Sequence, residues 1–189
     1  MSKTMKIALA IVAAVIILLI LPMISTFNSL TTLSAAADGQ WANVEVQLQN
    51  RWDLLPRLET YLSTQRIQEK GIFDNIAQAR TQYGSAKSTS DKMAAAGEVE
   101  SAISRLLVVM ENYPQVKTND LVIVLNSQAE GTENRLRVER MRFNEAVQLY
   151  NTKAKVFPSN VIAGLFGFDQ RTYFELPDKA ALNAPKVNL

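Results

Sequence analysis

Residues Ile7 to Ile24 read IALAIVAAVIILLILPMI, 18 positions without a charge, an amide or a hydroxyl. No other feature restricts the fold of the chain as strongly. At about 1.5 Å per residue a helix over this run spans roughly 27 Å, close to the ~30 Å hydrocarbon thickness of a bilayer. A single segment can cross there only as a helix, because lipid offers no partner to a bare N–H or C=O. Pro22 stands near the outer end, where one lost backbone bond costs least. Lys3 and Lys6 precede the run, and the next ionisable residue is Asp38. Positive charge ahead of a first span favours a cytoplasmic N-terminus, with the rest of the chain on the outer or periplasmic side of the inner membrane. A cleaved signal peptide is the competing reading. Its apolar core is normally about 7–15 residues, followed closely by small residues. Here the run is longer, and Ala35-Ala36-Ala37 lies well beyond its end. The sequence therefore predicts a short basic segment over 1–6 and an uncleaved single-pass anchor over 7–24.

Charge and composition narrow the chemistry open to the rest of the chain. Of 20 Lys and Arg, two lie before the anchor; the other 18 balance the 18 Asp and Glu, so the domain is neutral. With no Cys there is no disulfide, thiolate nucleophile or thiolate metal site, and with no His there is no imidazole base or Glu-x-x-His di-iron site. No clustered-carboxylate calcium loop and no Gly-rich phosphate loop is present. Arg135, Arg137, Arg140 and Arg142 cluster, but Glu133 and Glu139 interleave with them as on a solvated, salt-bridged face. Cofactors, metals, nucleic acid and small-molecule substrates are not expected.

Apolar residues after the anchor recur at helical spacing. The stripe Trp41, Val44, Leu48, Trp52, Leu55, Leu58, Leu62 advances by threes and fours. Pro56 interrupts it at a cost of about 3 kcal/mol inside a helix. Either the helix kinks there or a second helix begins with Asp53 as its cap; unbroken phase favours a kink, with helix running on through Ile72, Phe73 and Ile76 to about Tyr83. Gly84 to Ser90 is a loop by composition, with Ser88 or Ser90 capping the next helix. That helix carries Met93, Ala96, Val99, Ile103, Leu106, Met110 and Tyr113 in a heptad-like, coiled-coil seam that Pro114 ends. A last long helix runs from about Asn119 to Phe157, with the stripe Leu125, Ala129, Thr132, Leu136, Glu139, Phe143, Ala146, Tyr150, Ala154, Phe157, and Pro158 ends it. The expectation is an all-α chain: an N-terminal transmembrane helix, then an antiparallel up-and-down bundle of three to four long helices over 27–168. An apolar segment at 157–168 closes the domain, and 169–189 form a mostly irregular tail.

Several segments, in order over roughly 27–176, resemble the LemA family. They are Phe27-Asn28-x-Leu30; the stretch Val46 to Leu58 with its Arg51-x-Asp53-Leu54-Leu55-Pro56; Glu111-Asn112-Tyr113-Pro114; Glu130-Gly131-Thr132-Glu133-Asn134-Arg135; Phe143-Asn144-Glu145-Ala146-Val147 with Tyr150-Asn151; and Phe157-Pro158-Ser159-Asn160-Val161-Ile162-Ala163-Gly164-Leu165-Phe166-Gly167-Phe168 with Tyr173-Phe174. Arg57 stands where the family usually has Asn, and Gln170 where a basic residue is frequent. The resemblance implies a membrane-associated bacterial protein with an up-and-down helical bundle, and it implies no reaction.

Three groups are candidates for interaction or structural networks. Arg51 and Asp53 either satisfy backbone groups loosened by Pro56 or form an ion pair across helices, or the three residues form a notch for a partner. Gly131 costs about 1 kcal/mol in mid-helix relative to Ala, which a close helix approach would explain. With Thr132, Glu133, Asn134 and Arg135 it suggests a polar layer reaching Arg51 or Asp53, or a subunit contact. Phe157, Pro158, Asn160, Gly164, Phe166, Gly167 and Phe168 belong to the apolar segment, where burying each large side chain is worth roughly 1.5–3 kcal/mol. It folds on the bundle, meets a neighbouring subunit or dips into the membrane interface. The functional expectation is a membrane-anchored, non-enzymatic scaffold of the bacterial envelope. It would form a homo-oligomer and engage other envelope membrane proteins. The alternative is an envelope sensor or regulator acting through a membrane-protein partner.

Overall fold

The computed structural model describes residues 3–64, 70–111, 113 and 120–175. Among them lie six helices: α1 (Lys3–Trp52), α2 (Leu54–Thr64), α3 (Lys70–Ser85), α4 (Thr89–Glu111), α5 (Asp120–Lys155) and α6 (Ser159–Phe166). The chain is all-α, as the periodicity predicts. Helix α1 contains the whole apolar run and does not stop at its end. Residues 3–6 of the expected basic segment are its first turn, and no break separates the run from the sequence after it. Every described side chain from Lys3 to Ser25 is exposed, whereas Leu30, Ala37, Trp41, Val44 and Leu48 are buried. Those steps of three, four and seven extend the stripe seen at Trp41 back by three turns.

The chain divides into two compact units, one of Met1–Trp41 with Arg142–Tyr173 and one of Ala42–Met141 with Phe174–Leu189. In the first, Trp41 packs edge-on to Phe143 at 5.4 Å between centroids. Leu30 clusters with Tyr150 and Ala154, so α1 and the C-terminal part of α5 run antiparallel. Helix α6 adds Ile162 and Ala163 to that cluster, with Leu33 and Phe168 at its edge.

The second unit is a four-pass bundle. Trp52 stacks against Tyr83 at 5.1 Å, and Glu59 meets Arg80 at 3.7 Å, so α2 and α3 are antiparallel. Helix α4 returns beside α1, pairing Lys92 with Glu45 and Glu100 with Arg51. Grooves lined by α2 and α5 pair early residues of one with late residues of the other, which makes α5 the fourth, descending pass. Their shared core is Leu55, Leu58, Leu62, Ile76, Val99, Ile103, Leu106, Val122 and Leu125.

Three of the expected elements are corrected. The helix expected to run through to Tyr83 is instead two antiparallel elements, α2 and α3, and residues 65–69 lie outside the described residues. The heptad phase survives that interval, so the pattern alone gives no sign of a turn. The loop is 86–88 rather than 84–90: Gly84 and Ser85 stay helical, and the Ser88 Oγ accepts from the Asp91 N–H at 3.0 Å. The Ser88 N–H donates in return to Asp91 Oδ2 at 3.4 Å, a capping box that starts α4 one residue later. On α5, Val147 is buried and Ala146 only half-buried, while Phe157 is 82% exposed, so the buried stripe ends at Ala154. The Met110 side chain, Asn112, Pro114, Asn119 and the tail beyond 175 lie outside the described residues.

Burial, reinforced by the Glu45 carboxylate, pushes the Tyr83 phenol up from 10.0 to about 12. A folded-state value above the unfolded one contributes stability that is complete below pH 10.0 and is lost as pH rises through about 12. Denaturant melts across that window should show stability falling in the parent chain. The fall should be shallower in Tyr83→Phe, and equal slopes in the two proteins would refute the assignment.

Candidate functional site

The break between α1 and α2 falls at Asp53, one turn before Pro56. Pro56 has no N–H to donate to the Trp52 carbonyl, so the ladder fails there and α2 restarts at Leu54 with the proline in its first turn, where an N–H is dispensable. The Asp53 N–H still reaches the Gln49 carbonyl at 2.9 Å, and Gln49 Nε2 donates to Asp53 Oδ1 at 2.8 Å. The interruption is a single residue, and Asp53 bonds back to Gln49 rather than capping the N–H groups of α2.

Two grooves flank this break. One, of about 300 Å³, is lined by Asn50, Asp53, Leu54 and Arg57 on one side and Gln128, Thr132 and Arg135 on the other. The second, of about 490 Å³, is lined by Pro56, Arg57, Thr60, Tyr61 and Thr64 against Val124, Leu125 and Gln128. Arg57 and Gln128 border both. Sequence reasoning singled out Asp53, Pro56, Thr132 and Arg135 and missed Arg57 and Gln128 as shared rims.

Arg51 is 2% exposed, and its Nη2 pairs with Glu100 Oε2 on α4. Its Nε and Nη1 find no acceptor among the described residues. Glu100 is the partner that sequence reasoning did not name; the expected layer ran instead to the Glu130–Arg135 stretch. There Glu133 pairs with Arg137 at 3.2 Å on its own helix. Thr132 is buried and its hydroxyl donates to the Ala129 carbonyl at 2.9 Å. Asn134 and Arg135 are exposed. A Cβ on Gly131 would meet only the Arg135 guanidinium, at 3.8 and 3.9 Å, so a close approach of another helix does not explain that glycine.

The C-terminal segment folds onto its own unit. Ser159, Ile162 and Ala163 of α6 are buried, while Phe157, Asn160, Gly164 and Phe166 are exposed. Phe27 of α1 receives Phe166 and Phe168 edge-on at 5.0 and 5.4 Å. Pro158 precedes the helix through a cis peptide, and Gly167 ends it at φ 72°, a left-handed conformation that glycine adopts without steric cost. Both features lie in the Phe157-to-Phe168 motif.

Beyond Gly167 the chain is held by a network that the sequence did not reveal. Arg171 forms two bonds to Asp38, at 2.6 and 3.0 Å, and a third to the Ser34 hydroxyl at 2.8 Å. The Arg171 N–H and carbonyl both bond the Asn151 amide, at 2.8 and 2.9 Å. The Tyr150 hydroxyl donates to the Asp169 carbonyl at 2.8 Å, and the Arg171 guanidinium lies over the Tyr150 ring at 5.4 Å. Burial raises the Tyr150 phenol, and the Arg171 charge opposes it. The Tyr150-Asn151 pair was legible as a motif; Asp38 and Arg171, 133 residues apart, were not.

Among the described residues no group of three or more Asp and Glu is arranged to hold a metal ion. The described residues offer two recessed surfaces with mixed walls and a clamped C-terminal strap.

A model of the LemA family matches residues 40–189. Among curated proteins, magnetosome proteins MamQ 1 and MamQ 2 of Paramagnetospirillum magneticum are each 23% identical over 91% of this chain and 72% of their own length. Magnetosome protein MamQ of Magnetospirillum gryphiswaldense is 24% identical over 96% of this chain and 76% of its own.

Removing one member of a buried pair leaves the other charge uncompensated, at a cost of about 3–5 kcal/mol when burial is complete. Arg51 is the more buried partner, so Glu100→Gln should destabilise more than Arg51→Met in urea melts. The double variant should recover most of the loss; additive losses would remove the pair from the core of the unit. Asn151→Ala should cost roughly 1–2 kcal/mol for two hydrogen bonds and should raise amide exchange at Arg171. Unchanged protection there would refute the clamp.

Proposed function

The chain belongs to the LemA family, and from that premise we propose that it is a membrane-anchored, non-enzymatic helical scaffold that associates with copies of itself. The observation that carries this reading is the course of α1. Its first 23 residues form an uninterrupted helix around 18 apolar positions, every described side chain of it exposed, and its next turns are the packed stripe of a folded unit. Exposed apolar surface on that scale is stable only in lipid or against another protein, and its length matches a bilayer. Lys3 and Lys6 orient the N-terminus to the cytoplasm, so the helical units lie on the outer or periplasmic face.

Self-association is assigned to the grooves beside Pro56. Their apolar walls, Pro56, Tyr61 and the half-exposed Val124, are rimmed by Arg57, Thr60 and Gln128. A neutral domain finds partners by shape more than by long-range attraction, which suits this mixture. The relatives' name, magnetosome protein, supports a role in assembly at a cellular structure and no further detail for this chain. A second reading, a sensor or regulator, draws on the same continuous helix: a partner that bends or rotates α1 at Asp53 acts on a rod rooted in the membrane.

The lack of native Cys makes the topology directly testable. Ser90→Cys should react with a membrane-impermeant maleimide in intact cells with a permeable outer layer, and Ser2→Cys only after lysis. The reverse pattern would invert the orientation, and recovery in the soluble fraction would defeat the anchor. In detergent, light scattering should give more than one protein mass per particle for the parent chain and a shift towards monomer for Val124→Lys. A clean monomer at high protein concentration would overturn the scaffold reading.

A further inference from the structure

Helix α6 is amphipathic in a way that the fold does not need. Ser159, Ile162 and Ala163 point inward and are 3, 6 and 5% exposed, and they complete the core with Leu30, Tyr150 and Ala154. On the opposite side Val161 and Leu165, one turn apart, are 51 and 67% exposed, and Phe157, in the turn just ahead of the helix, is 82% exposed. From Val156 to Phe168 there is no ionisable residue, and Lys153 and Lys155 stand immediately before the segment.

Position along α1 says what lies against that outer face. Phe27 contacts Phe166 and Phe168, and it follows the last residue of the apolar run, Ile24, by three positions, or about 4.5 Å of helix rise. The polar layer on each side of the hydrocarbon is roughly 5–8 Å deep. Helix α5 descends antiparallel to α1 toward the anchor, so its end at Lys155 and the whole of α6 are at the anchor end of this unit. A second copy would have to reach a patch that already starts inside the headgroup layer.

We propose that α6 lies in the membrane interface, with Phe157, Val161 and Leu165 turned to the acyl chains and Lys153 and Lys155 beside lipid phosphates. The chain then meets the bilayer twice, by a helix through it and a helix on it, and the second contact fixes how α1 leaves the membrane. This rests on the anchor reading above. Interfacial helices sink their apolar face about 5–10 Å into the boundary between headgroups and acyl chains.

The test uses the full chain in vesicles of phosphatidylcholine and phosphatidylglycerol, with one spin label at a time on Val161→Cys, Leu165→Cys, Leu18→Cys or Gln148→Cys. Accessibility to oxygen relative to a water-soluble nickel chelate reports depth. The label at Leu18 should be deepest, that at Gln148 aqueous, and those at Val161 and Leu165 intermediate and shielded from nickel. Aqueous labels at Val161 and Leu165 with a deep label at Leu18 would overturn the interfacial helix and leave the anchor intact. Mutual broadening between labels at Leu165, without oxygen preference, would assign the face to a second copy and overturn it as well. An aqueous label at Leu18 would remove the anchor, and the inference with it.

Discussion

Every other part of this molecule depends on the continuity of α1. The apolar run has to be helical if it crosses lipid, since no other single-segment structure satisfies its backbone there. Nothing after Ile24 ends that helix until the ladder fails ahead of Pro56. Rotation and rise are therefore inherited, turn by turn, from the hydrophobic run to Leu30, Ala37, Trp41, Val44 and Leu48, which form one buried stripe. A helix of 50 residues is about 75 Å long, and only its middle and far parts are packed against the chain's own side chains.

The two units hold that rod by different means. The second relies on apolar burial, with one buried cation, Arg51, whose pairing to Glu100 fixes how α1 sits against α4. Such a pair adds less net stability than an apolar contact of equal size, but it penalises any register that separates the charges. The first unit has a smaller apolar cluster and adds polar fastening instead. Asn151 engages both backbone groups of Arg171, and Arg171 reaches across to Asp38 and Ser34 on α1. Asp38 is 64% exposed, so the ion pair is screened and its value lies in direction more than in strength.

The sequence was most informative where one physical rule dominated. Met93, Ala96, Val99, Ile103 and Leu106 were legible because a seam of this kind repeats with the period of the helix, and all five are buried. The Phe157-to-Phe168 motif pointed to a segment that folds back, and half of it does. The sequence was least informative where the deciding term was local or distant. The apolar phase runs unbroken from α2 into α3 although the two helices are antiparallel, and the break at Asp53 arises from a missing donor three residues later. Arg51 with Glu100, and Asp38 with Arg171, join residues 49 and 133 positions apart, a separation to which periodicity is blind. Gly131 misled because glycine in a helix suggests close packing, whereas here only a flexible guanidinium lies nearby.

The absence of His and Cys removes imidazole and thiol chemistry, and the polar fastenings that remain are few. The C-terminal strap is fastened to α1 by the Arg171 guanidinium and to α5 by the Asn151 amide and the Tyr150 hydroxyl, a few bonds each near 1 kcal/mol. The α2 boundary is a single residue, Asp53, beside two grooves. On the scaffold reading, the two grooves beside Asp53 are the surfaces through which the chain meets a neighbour.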